Sequence, residues 1–437
     1  MRNCLPLHTF LLFFALILYV PTQLRASTVG ISQPAPSITQ QRIDKLPASQ
    51  RAAWTAYLER SHQQEMRDRA SLAAERKGLA TIPPLPREQF NAWSVPLNRD
   101  AAWYATAEAR HIGDVVVSFQ TPGGGWSKNL DMATNTRLPG QSYATSNLSR
   151  FLGPDDFDTP RDPNWNYIST LDNDATNTQI HFLALLSVAN PGPVGDAYRA
   201  SYIRGIRYLL AAQFPNGGWP QVWPLEGSYH DAITFNDNAV TEAATVLTAA
   251  ASGTGDYAFV PVDLRQQAAA ASARALDCIL ATQIVVQGKR TIWAQQHDAL
   301  TLEPVSGRNF EPAAIATGES ADVLIYLMSL AHPSKAVVEA VRAGIDYLKS
   351  TAIYGQQWAG GWGSPEGRHL VAQAGAGPIW PRYISLTTGK PIFGDRNKTI
   401  HDDVNELSLE RRNGYAWYSG GAQRAIDAYA GWSKANP

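Results

Sequence analysis

Arg382, Lys390 and Arg396 fall within the stretch from Trp380 to Arg396, interrupted by Pro381, Gly389, Pro391 and Gly394. Proline and glycine at those intervals rule out a helical charge stripe. The three cations therefore sit in irregular backbone beside Trp380, Tyr383 and Phe393. Cations fixed in that way suit an anion-binding cleft, because a guanidinium grips a carboxylate at two points and a lysine adds a point charge. The plainer alternative is a loop that drapes its cations over the surface.

A second constellation is acidic. Asp172-Asn173-Asp174, Asn236-Asp237-Asn238 and Glu319-Ser320 each precede a helical stretch. Any one of these residues can cap a helix, since its oxygen accepts an unpaired amide proton of the first turn. One residue suffices for a cap, however, and two of the starts carry three oxygen-bearing side chains. Gathered at one end of a fold, Asp172 and Asp237 with their amide neighbours would form a hard oxygen site suited to Ca²⁺. There is no EF-hand spacing and no His-Glu-x-x-His pattern. Asp172 and Asp237 also qualify as the two carboxylates of a glycoside hydrolase.

Pro122-Gly123-Gly124-Gly125-Trp126-Ser127-Lys128 lacks phosphate-loop spacing and follows a helix, not a strand. Its glycines let backbone approach a flat ligand, with Trp126 beside it and Lys128 within reach of a carboxylate. Asn173 joins them as a candidate substrate contact. His230 and His297, each followed by an aspartate, lie in loops within reach of a substrate, but read more readily as hydrogen-bonded structural histidines. No Gly-x-Ser-x-Gly elbow is present.

The elements that must position these groups are helices. Apolar residues recur at three and four over roughly 175–190, 197–213, 237–252, 262–284, 319–331 and 335–350, which pair as three helical hairpins. Further helices are expected over about 100–119 and 421–432. Loops after the second helix of each hairpin carry Trp219, Trp293 and Trp362, at intervals of 74 and 69 residues, with Trp126 in a related loop. Repeated hairpins of this length predict an all-α (α/α)3 toroid over residues 87–437, with long irregular loops lining a cleft. Strand alternation is scarce.

Upstream, residues 47–86 read as a helical extension ended by a proline-rich stretch, and 27–46 as a flexible linker. Residues 1–26 read as a signal peptide: Arg2, then an apolar run from Phe10 to Val20, shorter than the ~20 residues of a membrane span. Its removal takes Arg2 and Arg25, so 37 basic residues become 35 against 38 acidic. That balance excludes a nucleic-acid footprint. It also removes Cys4, leaving Cys278 alone and no intrachain disulfide. A secreted or periplasmic monomer without membrane attachment is expected.

The segments 124–132, 170–176, 216–221, 235–239, 381–396 and 410–418 together, in this order, resemble polysaccharide lyase family 10, the pectate lyases. The resemblance covers most of residues 100–430 and implies an (α/α)3 toroid, a Ca²⁺ cofactor and β-elimination of polygalacturonate. By position it implies Arg382 as the catalytic base and Asp172 in a calcium site with Asp237. Lys128, Lys390 and Arg396 would hold galacturonate carboxylates. Asp174 departs from the small residue expected there, leaving either Asp172 or Asp174 as principal metal ligand. Lys390 and Arg396 beside Arg382 would lower its pKa by repulsion. A hydrolase or a noncatalytic polyuronate-binding protein are the alternative readings.

Overall fold

Alanine-rich sequence with apolar residues on one stripe dictates the outer layer of the molecule. In Lys335–Ser350, the buried positions are Val337, Ala340, Val341, Gly344, Ile345 and Leu348, a single helical face. Asn177–Ala189 is instead buried on nearly all sides. The computed structural model, which describes residues 28–436, pairs such inner and outer helices three times. Asn177–Ala189 packs on Pro193–Ala212, Ala239–Ser252 on Val262–Thr282, and Thr317–Ser329 on Lys335–Ser350. Ala107–Phe119 flanks the first hairpin, and Gln423–Ala435 packs against the third. This is the expected (α/α)3 toroid.

The outer helices share a device at their ends. The indole N–H of Trp126 donates to Val116 O, that of Trp219 to Leu209 O and that of Trp293 to Ile279 O, at 2.7, 2.8 and 2.7 Å. Each tryptophan thus folds back onto the helix before it. The fourth repeat departs from expectation: Trp362 is 69% exposed, and Trp380 makes the equivalent bond to Leu348 O at 2.7 Å. A β-hairpin, Gln356–Ala359 with His369–Ala372, is inserted between Leu348 and Trp380 and displaced the sequence signal. A glutamine at each helix end adds a stitch to the next outer helix. Gln120, Gln213 and Gln283 each donate to a carbonyl of their own loop and to Ser201 O, Ala271 O or Ala340 O.

Strands are more numerous than alternation suggests, because they are two to four residues long, too short to show a period. A five-stranded antiparallel sheet runs in the order Thr28–Ile31, Thr399–His401, Pro391–Gly394, Tyr383–Ile384, Ile315–Ala316. Its first strand belongs to the stretch expected to be a linker. Residues 28–46 instead lie on the toroid: Thr28 pairs with His401, and Arg42 bonds Asp298 at 2.6 Å. The proposed signal peptide, with Cys4, lies outside the described residues. Among those described, no helix is long and apolar enough to cross a membrane.

The extension helix, Ala48–Arg76, inserts Trp54 and Tyr57 beside Phe214. It also anchors the long segment between Trp126 and Tyr167. Glu75 receives Arg137 at 2.7 Å and the Gly140 N–H at 2.7 Å, and Arg69 bonds Asp162 at 2.7 Å. That segment reaches the loops of the toroid: Asn147 bonds Ser127 Oγ at 3.3 Å, and Phe151 lies 4.1 Å under the Arg396 guanidinium.

Candidate active site

The acidic triplets do not cap the inner helices. Asp172–Asp174 and Asn236–Asn238 form single 3-10 turns, and the residues preceding the helices make no side-chain cap bond. Asn173, Asp174, Asp237 and Asn238 adopt φ of 52, 61, 49 and 59°, the left-handed region that Asn and Asp tolerate best. Clustered backbone of this kind is kept where surrounding structure enforces it, commonly at functional sites. Its effect here is to free the carboxylates for contacts across the loop end of the ring.

Asp172 forms a buried ion pair with Lys128. Asp237 Oδ2 accepts from Asn173 N–H at 3.3 Å and Asn236 Nδ2 at 2.9 Å. Burial pushes the Asp237 carboxyl up, the negative charge of Asp172 and a hydrogen bond to it add to this, and it reaches about 8. Burial acts on Asp172 too, but the Lys128 ammonium and the bonds from Asp237 and Lys128 reverse it, holding Asp172 well below the usual carboxylate range. Asp174 is raised by burial and by the charge of Asp172, and its own charge acts on Glu242. It is Asp172, not Asp174, that meets Lys128 and Asp237.

Among the described residues no group of three or more His, Cys, Asp or Glu is arranged to hold a metal ion. The donor set still fits a hard cation: two carboxylates, with the Asn236 side-chain amide on Asp237 and the Asn173 side chain, bonded to Asn129, next to it. A divalent ion here would offset the burial and the Asp172 repulsion that raise the Asp237 carboxyl.

The cationic half lies along a continuous path. Asn236 Oδ1 accepts from Gln295 Nε2 at 3.3 Å, and the Tyr383 hydroxyl bonds Gln295 Oε1. That hydroxyl lies 2.9 Å from the Tyr415 hydroxyl, which donates to Glu311 Oε1 at 2.6 Å. Arg308 bonds the same Glu311 oxygen at 2.5 Å. Arg382 pairs with Glu319 and stands 4.5 Å over the Tyr415 ring. Arg308 lies 5.9 Å over that ring and keeps 38% of its side chain exposed.

Of the sequence candidates, Asp172, Asp237, Asn173 and Lys128 come together. Trp126 does not join them. It is fully buried under the ring, and its role is to shape the loop that carries Lys128. Lys390 is exposed on the turn before Pro391–Gly394. Arg396 is held by Glu410 at 2.7 and 3.1 Å, with its guanidinium 4.1 Å over Phe151. Neither cation is among the groups acting on Arg382. Burial works against the charge of Arg382, but Glu319, Tyr415, Tyr383 and Glu311 outweigh it and raise its pKa, the reverse of the expected repulsion. His230 and His297 are buried, pushed down to about 4, and bonded to Tyr167 and to Leu302 O. They are structural.

Sequence reading missed Arg308, whose Arg-x-x-Glu spacing with Glu311 reads as an ordinary local ion pair. It also missed Tyr167. The Lys128 ammonium lies 3.5 Å from the Tyr167 ring centroid, and the Tyr167 hydroxyl is 2.6 Å from His230 Nε2. Glu226 Oε2 accepts the Tyr167 N–H at 3.2 Å, fixing its left-handed backbone at φ 52°. Replacing Tyr167 by Leu is expected to raise KM about fivefold, on the order of 1 kcal/mol of lost cation–π contact. Tyr167→Phe keeps the ring and should stay within twofold of wild type; steady-state kinetics on both variants checks this.

Two solved structures bear on the fold and the site. A family 10 polysaccharide lyase from Cellvibrio cellulosa is 28% identical, covering 79% of this chain and 99% of its own, with a TM-score of 0.63. An Asp-to-Ala mutant of a family 10 polysaccharide lyase from the same organism, in complex with trigalacturonic acid, matches with the same figures. No curated protein sequence matches the chain. The sequence profile of the pectic acid lyases matches residues 120–426, well over half the chain. That span takes in the whole hydrogen-bonded path from Lys128 to Tyr415, and the chain belongs to the pectic acid lyase family.

Proposed function

We propose that this pectate lyase cleaves 1,4-linked polygalacturonate by calcium-assisted β-elimination, with Asp172 and Asp237 as the protein's metal ligands. The observation that carries the reading is the hydrogen-bonded path joining that carboxylate pair to Arg308, with Arg382 beside it on Tyr383 and Tyr415. A uronate carboxylate fits between the acidic and the cationic halves. Calcium, when bound, sets a divalent charge against that carboxylate and makes the neighbouring C5 proton more acidic. Lys128 orients the sugar from below, held by Asp172 and the Tyr167 ring.

The base removes the C5 proton, its electron pair becomes the C4–C5 double bond, and the C4–O bond breaks. The departing oxygen takes a proton from water. Arg382 is the base that family resemblance implies. Arg308 carries a second reading, which one observation favours: besides Lys128, the cation whose charge acts on Asp172 is Arg308. On that reading Arg382 grips the carboxylate of an adjoining sugar, and Lys390 and Arg396 serve sugars farther out. Either guanidinium must lose a proton first. Four units below its pKa that loss costs about 5.4 kcal/mol, so activity rises with pH. Export through residues 1–26 suits a polymeric substrate outside the cell.

Incubation with polygalacturonate and calcium tests the reading. The conjugated 4,5-unsaturated end absorbs in the ultraviolet, and its formation should stop with chelator. New reducing ends without absorbance would indicate hydrolysis, and neither signal would leave only binding.

A further inference from the structure

Phe90 and Trp93 are 59% and 70% exposed, and their rings meet edge to face with centroids 5.4 Å apart. Rings so bare usually sit on mobile chain, but this segment is pinned. Glu88 bridges Leu130, Gln89 N–H donates to Asn129 O at 2.9 Å, and Ser94 Oγ donates to Leu130 O at 3.2 Å. Between the rings, Asn91 takes φ of 51° and gives its N–H to Asn129 Oδ1 at 3.1 Å. That oxygen also accepts from Asn173 Nδ2 at 3.0 Å, and the Asn173 N–H donates to Asp237. The aromatic pair is therefore tied to the Asp172–Asp237 centre through the side-chain amides of Asn129 and Asn173.

We propose that Phe90 and Trp93 form an outer subsite that stacks a galacturonate ring of the polymer beyond the reacting residues. The inference rests on the polyuronate reading given above. A pyranose presents a face of C–H bonds that matches an aromatic ring, while its carboxylate stays at the edge. Arg87, three residues before Phe90, is exposed and 3.4 Å from Asp131, and offers a cation on the same segment. Continuity with the cleft through Asn129 selects the saccharide over a protein partner as occupant. Both rings precede residue 120, where the family match begins. They add length to the cleft without entering its centre.

The test compares wild type with Phe90→Ala/Trp93→Ala on polygalacturonate and on trigalacturonate, together with migration through a gel containing polygalacturonate without calcium. KM for the polymer should rise about tenfold on loss of the stacking contacts, with the trimer changed less than twofold. Gel retardation should fall. Equal effects on polymer and trimer, or none on either, would overturn the subsite. So would sedimentation of wild type as a dimer that the double variant dissolves, which would make the pair a protein contact. Gel retardation does not depend on turnover, so the subsite stands or falls separately from the lyase chemistry.

Discussion

Asp172→Asn is expected to lower kcat/KM by about 10³, the order seen when a preorganised electrostatic contact is removed from a reacting centre. The substitution keeps the shape of the side chain and leaves the fold intact. What it removes is charge. Lys128 loses its buried partner, and the repulsion that adds to burial in raising the Asp237 carboxyl disappears. Burial, the larger cause, still holds the Asp237 carboxyl above an ordinary aspartate, but without the charge of Asp172 its pKa falls and its ionised fraction at neutral pH increases. The calcium site nevertheless weakens, because affinity follows the number of charged oxygen ligands. Calorimetric titration with calcium and ultraviolet turnover should both register the loss. Turnover within tenfold of wild type, with calcium binding unchanged, would remove Asp172 from the metal site.

On the reading that makes Arg308 the base, Arg308→Ala is expected to lower kcat by about 10²–10⁴, the range for loss of a positioned base, with substrate affinity retained. Arg382→Ala is expected to act mainly on KM, as removal of a carboxylate clamp does. The reverse outcome would return the base to Arg382. Glu319 also separates the cases. It pairs with Arg382, and Glu319→Gln releases a guanidinium without touching Arg308. Both arginines are otherwise bound to acids: Glu311 and Glu319 stabilise the charged forms and oppose deprotonation.

The helices and their pairing were legible because alanine-rich amphipathic stretches carry a period of their own. The tryptophan loops were legible as a repeat, yet the fourth was read one hairpin early, at Trp362 instead of Trp380. Local composition cannot reveal which of two tryptophans reaches back to Leu348. Residues 28–46 read as linker because their polar, proline-containing sequence has no period; their order comes from the distant strand at Thr399–His401. The carboxylate pair was found from its residue types, while the left-handed turns that free it from capping left no sequence signal. Arg308 and Tyr167 escaped for a related reason. Their partners, Tyr415 and Lys128, are far away in the chain and come close only when the ring closes.

The dependence of kcat on pH, at saturating calcium and substrate, bears most directly on arginine as the base. A guanidine that must first shed its proton gives a rate rising about tenfold per pH unit from neutrality to about pH 10, still climbing where carboxylates and histidines have finished titrating. A plateau reached below pH 8 would contradict it, and would assign proton removal to a group of far lower pKa.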